Sequence, residues 1–119
     1  MNTTTTDFTT ALSTFLARWQ ERMNEHYRLN LPNLTAPKME VMKGRKFARI
    51  IASENGGQSR RSMGFVALVE GYLQGVPVRK GDILKSATWN APAKHTRGTI
   101  FASDNGMSAV SVYGVNYLK

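Results

Sequence analysis

Apolar positions in the first thirty residues recur every three or four. Phe8, Leu12, Phe15, Leu16, Trp19, Met23 and Tyr27 therefore share one face of a helix predicted over residues 6–28. Arg18, Glu21, Arg22 and Glu25 spread mainly over the other side. Thr6 or Asp7 can cap the N-terminus, and the acid suits the positive end of the helix dipole. The helix must stop near Asn30, because "LNLPNLTAP" places Pro32 and Pro37 in a linker over residues 31–37. The aromatic-rich stripe reads as core or as an oligomer contact, since it is larger than a thin single sheet is expected to cover.

Beyond the linker the period changes to two. Met39 and Val41 alternate with polar neighbours, and Phe47, Arg49 and Ile51 resume the alternation past Gly44, which marks a bulge or a break between two short strands. "ENGG" at 54–57 reads as a hairpin turn, because Asn and Gly accept positive φ. The chain returns as a strand with Phe65, Ala67 and Val69 on one face and Val66 and Leu68 on the other. "QGVPVRKGD" reads as a second turn region and "DILKSAT" as a short strand. "GTIFAS" reads as a further strand, "DNG" at 104–106 as another turn, and "MSAVSVYGVNYL" as a closing strand. The Thr tract 3–6 reads as a frayed end.

These elements predict an α+β fold in a single domain, 1–119. An N-terminal amphipathic helix (1–30) precedes a five- or six-stranded antiparallel curled sheet or small open barrel (38–119).

Charge changes the picture more than length does. The chain carries 16 Lys and Arg against 8 Asp and Glu, a net +8. The excess is clustered: residues 38–61 are net +5 and residues 79–97 net +4, while residues 1–37 are neutral. Clustered excess charge points to a polyanionic partner. The alternative is a set of solvated strand edges whose cations prevent sheet aggregation.

Lys43, Arg45, Lys46, Arg49, Arg60 and Arg61 fall on two strands joined by the "ENGG" turn. Pairing these strands brings Arg49 near Arg60 or Arg61 and makes a continuous positive ridge. "TWNAPAKHTRG" (88–98) supplies an aromatic beside cations on what reads as an irregular loop, since its Pro argues against a helix or a central strand. There Trp89 offers a stacking plane, or else anchors the loop over the core edge. Lys94 and Arg97 offer phosphate contacts, His95 a hydrogen-bonding or stacking group, and Lys85 a further cation. Cations for phosphates and flat side chains for unstacked bases are what single-stranded nucleic acid requires.

Other chemistries find little support. The chain has no Cys, so it forms no disulfide and no thiolate metal site. His26 and His95 stand far apart without metal-ligand spacing, and no Ser sits in a recognisable nucleophile turn. No phosphate-binding Gly-rich loop is present, and neither a cofactor nor enzymatic activity is expected. The first ten residues lack the basic and apolar regions of a secretory signal. No apolar run approaches the length of a membrane span, and the neutral helix is a poor membrane-surface element.

"RIIASENGGQSRRSMGFVALV", "KGDILKSATWNAPAKHTRGTIF" and the terminal "YGVNYLK" resemble small proteins of tailed bacteriophages. Within that set the chain resembles the single-stranded-DNA-binding transcription cofactors of podovirus-type phages. The resemblance covers roughly residues 44–119. It implies an oligomer that coats single-stranded DNA, acts in the host bacterial cytoplasm, and has a phage or host RNA polymerase as a further partner. It carries no residue-level list of DNA contacts.

The sequence thus leads to a non-enzymatic single-stranded-DNA-binding phage protein of low sequence preference, acting in viral transcription or replication. Two readings stand beside it. One is a module that binds and modulates a host protein such as RNA polymerase. The other is an RNA-binding protein or small ribonuclease.

Overall fold

Helix α1 runs from Phe8 to Asn30 in the computed structural model, which describes residues 7–54, 57–89 and 91–116. Asp7 is its N-cap, with a carboxylate oxygen accepting from the Thr10 N–H at 3.3 Å. The other cap candidate, Thr6, lies outside the described residues, as does the Thr tract. The helix ends where the linker was expected to stop it, and the Leu31 N–H donates to the Tyr27 carbonyl.

The sheet contains β1 (Lys38–Lys43), β2 (Phe47–Glu54), β3 (Ser59–Ala67), β6 (Asp82–Ser86) and β7 (Pro92–Thr99), in the order β1-β2-β3-β6-β7. All neighbours are antiparallel. The sheet remains open, with β1 and β7 at its edges. Gly44 does separate two strands. Pairing of Glu54 with Ser59 confirms the β2–β3 hairpin, although Asn55 and Gly56 of its turn lie outside the described residues.

Between β3 and β6 the chain makes a small separate hairpin, β4 (Gly71–Leu73) and β5 (Val76–Val78). Gln74 and Gly75 both take positive φ, the requirement of a tight type I′ turn. The segment expected to be one turn region therefore contains a turn and a strand.

Three further expectations are corrected. Residues 92–98, read from Pro92 as loop, belong to β7. Proline is tolerated there because it is the first residue of an edge strand. The "GTIFAS" strand ends at Thr99, and residues 100–106 are turns. The closing strand is instead a 3₁₀ turn (Met107–Ala109) followed by a minimal hairpin, β8 (Val110–Ser111) and β9 (Gly114–Val115). Residues 117–119 of that expected strand lie outside the described residues.

Besides its own backbone bonds, this C-terminal segment is held by side chains from elsewhere. Arg18 donates to the Asp104 carbonyl, Trp19 Nε1 to Ser111, Arg22 to Met107 and Val110, Arg61 to Val112, and Lys85 to Val115. Asn105 and Gly106 both take positive φ at its start, as the Asn-Gly pair implied. A Cβ on Gly106 would lie 2.4 Å from Ile83 Cδ1, so the close approach also demands glycine.

One sheet face carries the main core. Phe15, Trp19 and Met23 of α1 are fully buried there against Met39, Ile50, Ala52, Met63, Val66 and Ile83. The aromatic stripe is thus covered within one chain, and the expected excess over what the sheet can cover is absent. On the opposite face a smaller cluster joins Phe65, Ala67, Val78 and Leu84, with Phe47 and Leu73 packed beside it.

Candidate nucleic-acid interface

Strand parity decides which cations share a face. Phe65 on β3 pairs with Arg49 on β2, and Gly64 with Ile50. The register then shifts, so that Ile51 faces Ser62 and Ser53 faces Arg60. Met63 is the extra residue and is buried in the helix-side core. Side chains alternate with a period of two, so this bulge inverts which of two adjacent arginines faces which way. Arg60 joins Arg49 on the face away from the helix. Arg61 goes to the helix side, where its Nη2 donates to the Val112 carbonyl at 3.3 Å.

The hairpin between β6 and β7 folds Trp89 onto the Arg49 face. N–H groups of Ala87 and Thr88 both donate to the Ala91 carbonyl, which tightens this turn. The Arg49 guanidinium carbon lies 4.8 Å from the Trp89 ring centroid and 5.7 Å from that of Phe65. The Arg60 guanidinium carbon lies 5.6 Å from the Trp89 centroid. These are cation–π distances. Arg60 Nη2 also reaches Met42 Sδ at 3.2 Å. Trp89 keeps 37 % of its surface exposed, so it both anchors its turn and presents aromatic surface to solvent.

Beside this cluster lies an open groove of about 370 Å³ under the β1–β2 turn. Lys43, Arg45, Lys46 and Arg49 line it, with Phe47, Phe65 and Pro92 as its apolar walls, and no carboxylate is among its described lining residues. Lys43, Arg45 and Lys46 are exposed. A larger hollow, about 930 Å³, adjoins Arg60 on the linker side, but there Lys38 and Arg60 are offset by Glu40 and Glu54. Of these two, the first groove offers the positive field unopposed by a described lining carboxylate.

Arg49, Arg60 and Trp89 are thus brought together, and Arg49 also joins the Lys43, Arg45 and Lys46 group in its groove. Arg61 and Lys85 are drawn to the other face, where each donates to a carbonyl of the C-terminal hairpin. Lys94 and His95 are exposed on edge strand β7, and Arg97 is half-buried with its guanidinium bonded to the His95 carbonyl. Sequence reasoning missed Phe65, Met42 and Pro92 as groove walls. The alternation of β3 marked Phe65 as one face of a strand, but nothing local placed Arg49 above it. Among the described residues no cluster of His, Asp and Glu suited to a metal ion occurs.

The class defined by fold and site is an open antiparallel sheet, backed by one helix, with a cationic and aromatic patch on its other face. The chain belongs to the family of unknown function DUF7717, whose pattern matches residues 1–114. No curated protein and no solved structure matches it significantly. No helix among the described residues is long and apolar enough to cross a membrane.

Proposed function

We propose that this protein binds single-stranded nucleic acid, DNA in the setting implied by the phage resemblance, across the β1–β2–β3 face. The observation that carries this reading is the Arg49–Trp89–Arg60 cluster opening onto the groove of Lys43, Arg45 and Lys46. The exposed part of the indole accepts an unstacked base, and the groove neutralises the phosphates that flank it. Two guanidiniums against the ring fix its orientation before binding, which lowers the ordering cost of association. Stacking accepts every base, so low sequence preference follows. No catalytic step is invoked. In the same setting the binding serves viral transcription or replication in the host cytoplasm, and a phage or host RNA polymerase is a natural further partner. If copies assemble along a strand, they use a surface other than the α1 stripe, which is buried within the chain.

The test is fluorescence anisotropy of an end-labelled single strand at graded salt, with duplex DNA and RNA of the same sequence as comparison arms. Single-strand affinity should exceed duplex affinity. It should fall with salt at a slope of about −0.7 per neutralised phosphate. Absence of binding at low salt to every one of these probes contradicts the reading.

A further inference from the structure

The single-strand reading gives no role to the exposed rings of Tyr113, Tyr72 and Phe101, and of these Tyr113 sits in a turn held by one of the site's own pair of arginines. Tyr113 sits at the tip of the β8–β9 turn with 77 % of its surface exposed, the largest exposure among the described large hydrophobic residues. Its turn is well fixed. The Tyr113 N–H donates to Ser111 Oγ at 3.2 Å, and the Ser111 hydroxyl donates to the Gly114 carbonyl. His26 of α1 meets the Tyr113 ring edge-on, with centroids 6.2 Å apart. Arg61 holds the carbonyl of the preceding residue, Val112.

Arg60 and Arg61 are neighbours in β3 that point to opposite faces, one toward Trp89 and the other toward the Tyr113 turn. β3 pairs with β6 only at Phe65 and Val66, so Arg60 and Arg61 lie beyond the end of that ladder. Among the described residues, no ladder pair joins β3 to β6 at the point where the two arginines diverge. Each face carries an arginine next to a partly or largely exposed aromatic ring.

Resting on the single-strand reading, we propose that the bound strand continues from Trp89 over β3 at Arg60–Arg61 and stacks a second base on Tyr113. Arg60 and Arg61 escort phosphates across the edge. Arg61 uses one of its five N–H donors to position the Tyr113 turn. The partner that fits is a flexible single strand, because a duplex cannot bend round the edge of one sheet without a large deformation cost.

The test compares wild type, Tyr113→Ala, Tyr113→Phe and Trp89→Ala on homopolymer single strands of about 4 and about 16 nucleotides, spanning the usual site sizes of small single-strand modules. Tyr113→Ala should weaken binding of the long strand about tenfold, and the short strand hardly at all. Tyr113→Phe keeps the ring and should bind both as wild type does. Photocrosslinking of the long strand to wild type should label peptides containing Tyr113 and Trp89, a readout independent of how any variant folds. Wild-type long-strand affinity in Tyr113→Ala, with crosslinks confined to Trp89, overturns the second platform while leaving the first reading intact. Loss of single-strand binding in wild type itself overturns both.

Discussion

The guanidinium of Arg49, on the second strand of the sheet, lies 4.8 Å from the indole centroid of Trp89, forty residues later in the chain. This contact ties the turn between two late strands to the middle of the sheet. Trp89 is consequently a structural anchor and an exposed aromatic surface at once. Trp89→Ala should therefore act on both properties. Loss of two cation–π contacts, at about 0.5–1 kcal/mol each, should lower stability by about 1–2 kcal/mol. That corresponds to a fall of roughly 4–8 °C in melting temperature. Single-strand affinity, measured well below the melting range, should drop by about one to two decades. Trp89→Phe should recover much of both.

The cations of the β1–β2 turn are expected to act on binding alone. Lys43, Arg45 and Lys46 are exposed, so their replacement by Gln should leave the thermal transition within about 1 kcal/mol of wild type. The slope of log affinity against log salt should become shallower by about 2, from about 0.7 per lost phosphate contact. A titration series at four or more salt concentrations measures this. An unchanged slope would assign these residues to a solvated edge.

Lys85 should behave in the opposite way. Its Nζ donates to the Val115 carbonyl at 3.1 Å from a half-buried position, so Lys85→Ala removes a charge-assisted support of the C-terminal hairpin. A loss of about 1–3 kcal/mol is expected in denaturant unfolding. The salt slope of single-strand binding should stay at its wild-type value.

Asp104 gives the fold an acid-sensitive point. The Ser108 hydroxyl, then the N–H groups of Gly106 and Ser108, hold its carboxyl below the ordinary aspartate value. A depressed folded value contributes stability that is present above the unfolded value. That contribution is lost as pH falls from the ordinary carboxylate range through the lower folded value. Melting temperature should therefore fall on acidification below about pH 4 less steeply in Asp104→Asn than in wild type. Parallel circular-dichroism melts across that range check it.

The helix and the first three strands were legible because local pattern and tertiary environment agree. Phe15, Trp19 and Met23 recur at helical spacing and are fully buried, and Gly44 falls between two strands. Strand β7 was not legible, since an edge strand that opens with Pro92 and carries Lys94, His95 and Arg97 has the composition of a loop. The C-terminal segment was misread as a strand because its carbonyls are satisfied by Arg22, Trp19, Arg61 and Lys85, partners that no local pattern reveals. The candidate site was half legible. Composition picked out Arg49, Arg60 and Trp89, but the bulge at Met63 assigned Arg60 to the Trp89 face and Arg61 to the other. Such a one-residue shift in parity leaves no mark in local composition, although Gly64 lies beside it and a Cβ there would be 2.4 Å from Val115 Cγ2.

The central claim is that a base stacks on Trp89, and the emission of that indole reports it directly. Trp19 is buried and must first be silenced. Trp19→Phe keeps a ring in the core at the cost of the Nε1 hydrogen bond to Ser111, about 1–3 kcal/mol, leaving Trp89 as the sole indole. Titrating this variant with a single-stranded oligonucleotide at low salt should quench its emission saturably. The midpoint should match that from anisotropy of the labelled strand, and added salt should reverse the quenching. Saturable binding by anisotropy with no change in Trp89 emission would contradict the account.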